Sequence, residues 1–107
     1  MIARTWRGWT TPADADAYER LLETEVFPGI FAKTVEGFRR IELFRRAVGG
    51  EVEFMTVMWF DDLDAVRAFA GADYEQAYVP ARARQVLARF EERSQHYEIR
   101  ARHDRRG

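Results

Sequence analysis

The 107 residues contain no cysteine, which excludes disulfides, thiolate nucleophiles, iron–sulfur clusters and thiolate zinc sites together. Histidine is nearly absent. The two present, His96 and His103, lack carboxylate-rich spacing around them and define no metal site. Neither sign of charge dominates: seventeen basic residues against eighteen acidic give a net charge of −1, so bulk charge points to no nucleic-acid or membrane partner. No apolar run approaches membrane-spanning length, and Arg4 and Arg7 interrupt what would have to be the apolar core of a signal segment. The cytoplasm is the expected location. There is also no internal repeat, low-complexity tract or linker, and no catalytic signature of high specificity.

What is present is a composition of 47% hydrophobic, 33% charged and 14% aromatic residues, the balance of a globular protein with one modest core. A single domain over 1–101 with a frayed tail over 102–107 is expected. Ile2 to Trp9 reads as a first strand. Thr11 then suits a helix N-cap, Pro12 the first helical position and Asp14 the positive end of the helix dipole. Tyr18, Leu21, Leu22 and Val26 make one helical stripe, which Pro28-Gly29 closes or kinks.

A second strand runs from Gly37 to about Ala47, and Gly49-Gly50 is a two-residue hairpin signal into a third. With these glycines at the centre of the turn, Arg46 opposes Glu53, Phe44 opposes Met55, Glu42 opposes Val57 and Arg40 opposes Trp59. Asp61 is the expected cap of the next helix, with Leu63, Val66 and Ala70 on its stripe and Gly71 past its end. A loop over Asp73 to Tyr78 follows. Pro80 opens a further helix that carries Val79, Ala83, Val86, Leu87 and Phe90 on one face, and Ser94 to Ala101 is the last strand.

The order β-α-β-β-α-(α)-β predicts an α+β, ferredoxin-like fold: a four-stranded antiparallel sheet with helices on one face. The third strand is apolar on both faces. Ile41, Leu43, Phe54, Thr56, Met58 and Phe60 belong to the drier face, assigned to the helices. The other carries Phe44, Met55, Val57 and Trp59 among the charges Arg40 and Glu42. Burying such side chains is worth roughly 1.5–3 kcal/mol each, and a second copy of the chain is the economical cover, so a homodimer through this face is expected.

Three segments carry a resemblance to a known family: the strand-to-helix run FMTVMWFDDLDAVRAFAG, the Tyr78-x-Pro80 segment and the late strand QHYEIR. With these the chain resembles the antibiotic biosynthesis monooxygenase-like proteins of the dimeric α/β-barrel superfamily, in its small uncharacterised branch. The resemblance implies two sheets closing into a barrel across a dimer and a pocket between each sheet and its own helices. It also implies oxygenation of aromatic polyketides by O₂ with no metal, flavin or other cofactor, although members of the family differ in activity. The oxygenase branch places an Asn and, four residues on, a Trp along the third strand. The matching positions here are Thr56 and Phe60. The haem-degrading branch needs a His in the helical region after that strand, and this sequence has none between Asp61 and Phe90.

Within that frame His96 is the candidate catalytic base, able to deprotonate a phenol or enol to the carbanion that reacts with O₂; the plain alternative is a hydrogen-bonded strand histidine. Tyr74 and Tyr78 are candidate donors at a pocket mouth, and Phe60 a pocket wall. Trp6, Trp9 and Trp59 are stacking surfaces for an aromatic ligand or simply core and interface filling, with Trp59 set against Arg40 for a cation–π contact. Arg4 and Arg40 sit on strands covered on both sides and need partners: Glu42, Glu98, or the carboxylate or phenolate of a ligand. The functional expectation is a cofactor-independent monooxygenase-like protein acting on a small aromatic or polycyclic substrate. The alternative is a non-enzymatic ligand-binding or dimer-assembly module of the same fold.

Overall fold

The computed structural model describes residues 1–106. Gly107, the last residue of the expected tail 102–107, lies outside the described residues. Five antiparallel strands form one sheet: β1 (Ile2–Thr10), β2 (Phe38–Val48), β3 (Glu51–Phe60), β4 (Arg89–Phe90) and β5 (Gln95–Glu98). β1 is central. It pairs with β3 on one side, while β5 covers its first half and β4 its second half on the other, and β2 forms the far edge beyond β3. β5 is the expected last strand, and β4 is a fifth, short strand beyond the four expected, formed from residues expected to end the preceding helix.

The hairpin has the register that its two glycines require, with Arg46 opposite Glu53, Phe44 opposite Met55, Glu42 opposite Val57 and Arg40 opposite Trp59. Gly49 takes a positive φ of 59°, a conformation that glycine adopts without steric penalty. A bulge between Phe38 and Arg40 then restores Phe38 to the face of Phe60.

Thr11 caps the first helical stretch, its hydroxyl accepting the Asp14 N–H at 3.3 Å. A 3₁₀ turn (Pro12–Asp14) leads into α1 (Ala15–Leu21). Pro28 neither closes nor sharply breaks the element, which passes through a π-helical segment (Leu22–Val26) into α2 (Phe27–Ala32). In the π segment the Phe27 N–H donates to the Leu22 carbonyl five residues back. A proline inside a helix crowds the carbonyl four residues earlier, and a widened turn just before Pro28 gives that carbonyl room.

α3 (Leu63–Ala70) is capped by Asp62, not by the expected Asp61. Asp62 has extended backbone and its Oδ1 accepts the Ala65 N–H at 2.9 Å. The Asp61 carboxylate is held instead by Arg39, whose Nε lies 2.7 Å away. α4 (Ala81–Val86) stops short of Phe90 because Leu87 turns extended, and the chain beyond it pairs with β1: Ala88 N–H donates to the Trp9 carbonyl and Glu91 N–H to that of Arg7. Phe90 is thus a strand residue, not a helical one. β5 likewise ends at Glu98 rather than Ala101, the Ile99 N–H making one further bond to the Met1 carbonyl.

Even-numbered residues of β1 and β3 face the helices and odd-numbered ones face away, as the period of two requires. The helix side holds two packed clusters. One joins Tyr18, Leu22, Val52, Phe54, Val79 and Leu87, with Tyr18 edge-on to Phe54 at 4.9 Å. The other joins Ile2, Ile30, Met58, Phe60 and Val66. The opposite face is open, and Phe44, Val48 and Tyr97 are exposed on or beside it.

Candidate functional site

A chamber lies at the seam of the two clusters, between the sheet and the helices. β1 contributes Arg4 and Trp6, β3 contributes Thr56 and Met58, and the helical stretch contributes Tyr18, Leu22, Val26, Phe27 and Ile30. Phe69 and the segment Tyr78 to Ala83 complete the wall. Its volume is about 60 Å³, room for on the order of four to six waters but under half of the roughly 150 Å³ that takes a benzene ring. Val26, Ile30, Tyr78 and Pro80 also wall an outer cleft of about 260 Å³ that takes in Lys33 and Arg82. Ligand pockets usually begin at roughly 300 Å³, so an aromatic molecule must draw on both spaces, passing the exposed Tyr78.

Local sequence explains the wall. Trp6 can lie along the helix side of β1 because the next residue on that face is Gly8: a Cβ there would stand 2.7 Å from the Trp6 ring and 2.9 Å from Leu87. The Trp6 indole N–H donates to the Glu91 carbonyl at 2.6 Å, which anchors the ring from the β4 side. Tyr18 is almost wholly buried, and burial pushes its phenol well above its ordinary pKa.

The one cation in the inner wall is Arg4, only 4% exposed. Its Nη1 donates to the Tyr74 carbonyl and lies 3.0 Å from His96 Nε2, and its Nη2 donates to the Gln76 carbonyl at 3.1 Å. All three acceptors are uncharged. Burial without a carboxylate lowers the Arg4 pKa to about 10. Because an arginine only donates, His96 Nε2 is the acceptor and the ring proton sits on Nδ1, a buried nitrogen with no hydrogen-bond partner among the described residues. Desolvation first, then the Arg4 charge, pushes the His96 pKa below its ordinary value, with Glu75 opposing weakly.

The residues expected from sequence thus fall into four places. Trp6 and Tyr78 line the chamber. His96 and Tyr74 stand behind Arg4, the two rings edge-on at 5.1 Å, and neither is a wall residue. Phe60 is fully buried one layer further back, stacked between Phe38 at 5.4 Å and the wall residue Phe69 at 5.7 Å. Arg40 and Trp59 meet on the opposite face, 4.8 Å from guanidinium carbon to ring centre, and share Glu42 as a third partner. They do not reach the chamber.

Sequence reasoning did not single out Tyr18, Phe27, Phe69 or Ser94. The helical stripe carried Tyr18, but as core. Thr56, named only for the Asn it stands in for, is in the wall.

No model of a known family matches the sequence, and no curated protein matches it. Solved structures do match. The chain is similar over 97% of its length, and 97% of the other chain, to a candidate antibiotic biosynthesis monooxygenase from Bacillus cereus, with a TM-score of 0.66 at 13% identity. It is also similar to Rv0793 from Mycobacterium tuberculosis, with a TM-score of 0.58 at 18% identity over 96% of this chain and 98% of that one. A third match is SnoaB, a cofactor-independent oxygenase from Streptomyces nogalater, at 21% identity over 96% and 95% of the two chains. Its TM-score of 0.47 is too low to bear on the argument. The chain therefore has the α+β, ferredoxin-like fold seen in antibiotic biosynthesis monooxygenase-type proteins. No helix among the described residues is long and apolar enough to cross a membrane.

Proposed function

We propose that this protein binds a small aromatic molecule in the chamber between sheet and helices and oxygenates it with O₂ without a cofactor. The observation that carries the binding is the wall itself: Trp6, Tyr18, Phe27, Phe69 and Tyr78 line the inner chamber, and a cleft of about 260 Å³ opens beyond Tyr78, so that the two together reach the size of a ligand pocket. In the reaction a ring CH₂ beside a phenol loses a proton, and the resulting carbanion takes up O₂. Loss of water then leaves a quinone carbonyl, so one O₂ becomes one carbonyl oxygen and one water. Apolar walls favour this sequence by excluding competing solvent.

His96 is the proposed base, reached by displacing its bond from Arg4. That same bond favours the second reading, a binding module without turnover, because the nitrogen that would accept the proton is engaged by a cation.

Supplying anthrone-type phenols and O₂ to purified metal-free protein separates the two. Quinone formation that falls at least tenfold in His96→Ala supports the oxygenase. Saturable binding without quinone leaves the binding module.

The open face supports a homodimer. Phe44, about half exposed, and Tyr97, more so, lie where a second sheet would cover them. Light scattering at micromolar concentration should give twice the chain mass, and a monomer would contradict the pairing.

A further inference from the structure

Among the described arginines Arg4 is set apart by being buried; every other one is at the surface, where water solvates its charge whether or not a carboxylate is near. Arg7, Arg39, Arg40, Arg45, Arg46, Arg67, Arg82, Arg89 and Arg93 each lie within ion-pair distance of a carboxylate and are all at the surface. Arg4, the buried one, has no such partner. Glu98 is close in sequence to His96 and stands on the same face of β5, yet it turns to Arg100 at 3.8 Å. A buried charge left with neutral acceptors only is expensive. The cost is visible as a guanidinium less basic than usual, and the only other cation-directed contact is the Phe69 ring at 5.7 Å.

The geometry also leaves capacity. A guanidinium has five N–H donors in a planar fork, and three are taken by Tyr74, Gln76 and His96. These three hold the group from the side of the loop and β5, and the residue as a whole forms part of the chamber wall. What is missing from the arrangement is an anion, and the space in front of it is lined by aromatic rings.

We infer that the chamber selects an aromatic acid, and that Arg4 binds its ionised oxygen, whether carboxylate or phenolate. The inference rests on the ligand reading of the chamber and adds the chemical class of the ligand. The acid end lies against Arg4 at the inner wall and the ring against Trp6, Tyr18 and Phe69, the molecule extending past Tyr78 into the outer cleft. For ligand binding, before any turnover that would free its nitrogen as a base, neutral His96 accepts from Arg4 and holds the guanidinium in place. A phenol bound there ionises more readily than in water because its anion meets a fixed, desolvated cation.

The test is a calorimetric titration of the full chain at neutral pH with 2-naphthoate and with its neutral counterpart 2-naphthamide. The acid is expected to bind at least tenfold tighter than the amide, and Arg4→Met to bring the two within about threefold of each other, since a fixed charge–charge hydrogen bond contributes on this scale. Equal affinities in the unsubstituted protein overturn the inference and leave the chamber standing. Binding of neither compound overturns both. An acid preference that survives Arg4→Met and disappears in Lys33→Met moves the anion to the outer cleft and also overturns it. The comparison of acid with amide on the unsubstituted chain decides the matter even where Arg4→Met folds poorly. Ala83→Phe, which fills the chamber from α4, should abolish binding of both compounds.

Discussion

The two faces of β1 and β3 are made by alternate residues of the same strands, yet they handle charge and apolar surface in opposite ways. On the face away from the helices, Arg40 has Glu42 at 3.6 Å and the Trp59 ring at 4.8 Å, and Trp9 is stacked by Arg89 at 3.9 Å and Arg7 at 5.4 Å. Every cation there has an anion or a ring, and apolar groups such as Phe44 are left open. On the helix face the apolar groups are closed into two clusters; Arg45 at its edge is paired with Asp16 and Glu19, and the one buried cation, Arg4, is given carbonyls and an imidazole but no negative charge. A satisfied charge beside open apolar surface suits a face that meets another sheet. An unsatisfied charge at the end of an apolar chamber suits a face that meets a small anion.

The comparison can be broken most severely at Phe54. It is fully buried and packs edge-on against Tyr18, so Phe54→Ala should cost about 3–5 kcal/mol of stability in a denaturant titration. Phe44→Ala on the open face should cost the monomer under about 1 kcal/mol and show its effect in self-association instead. Equal losses would mean that the open face is already core in the single chain.

A smaller effect is expected at Gly8. Gly8→Ala forces a methyl against Trp6 and Leu87, at about 1–3 kcal/mol, and should alter Trp6 fluorescence and ligand affinity together. Should stability fall while affinity stays constant, Trp6 is not part of the working wall.

His96 predicts a pH effect whose sign is fixed. Its folded pKa is depressed, by burial and then by Arg4, with Glu75 in partial opposition, so the unfolded chain binds its proton more readily. The stability linked to neutral His96 is complete above about pH 6.5, the unfolded value, and is lost as pH falls from there towards the depressed folded pKa. His96→Gln should flatten the stability curve in that interval. A slope that persists unchanged assigns the linkage to another group. The smallest effect belongs to the open face: Arg40→Ala removes a half-exposed cation–π contact worth about 0.5–1 kcal/mol in a melting experiment.

How much of this was legible in the sequence depends on how local the determining contact is. Gly49-Gly50 set the hairpin register because a two-residue turn leaves no freedom in pairing, and all four expected pairs are present. The sorting of β3 into a dry and a mixed face followed from that register alone. Arg4 was recognisable as a strand cation in need of a partner. That its partners are the carbonyls of Tyr74 and Gln76 was not, since a loop more than sixty residues away supplies them. The orientation of His96 was hidden for a related reason: its face is set by pairing with β1, where His96 stands opposite Arg4. Asp61 and Asp62 are equal as caps on local grounds, and the distant Arg39 decides between them. The extra strand β4 likewise depends on how residues 88–91 pair with β1, which no local pattern encodes.

The π-helical segment between α1 and α2 makes the shape of the chamber a matter of counting. One residue more than an α-helix needs is held between Leu22 and Val26, and the chain after it, Phe27 and Ile30 included, is turned by about 100° relative to a regular continuation. Removing a single residue from that stretch would return the helix to a regular spiral and leave Phe27 and Ile30 on the wall, because the widened turn already takes up the extra residue; straightening it without a deletion would rotate both away. The π turn thus stores one residue of chain length without changing which side chains line the binding space.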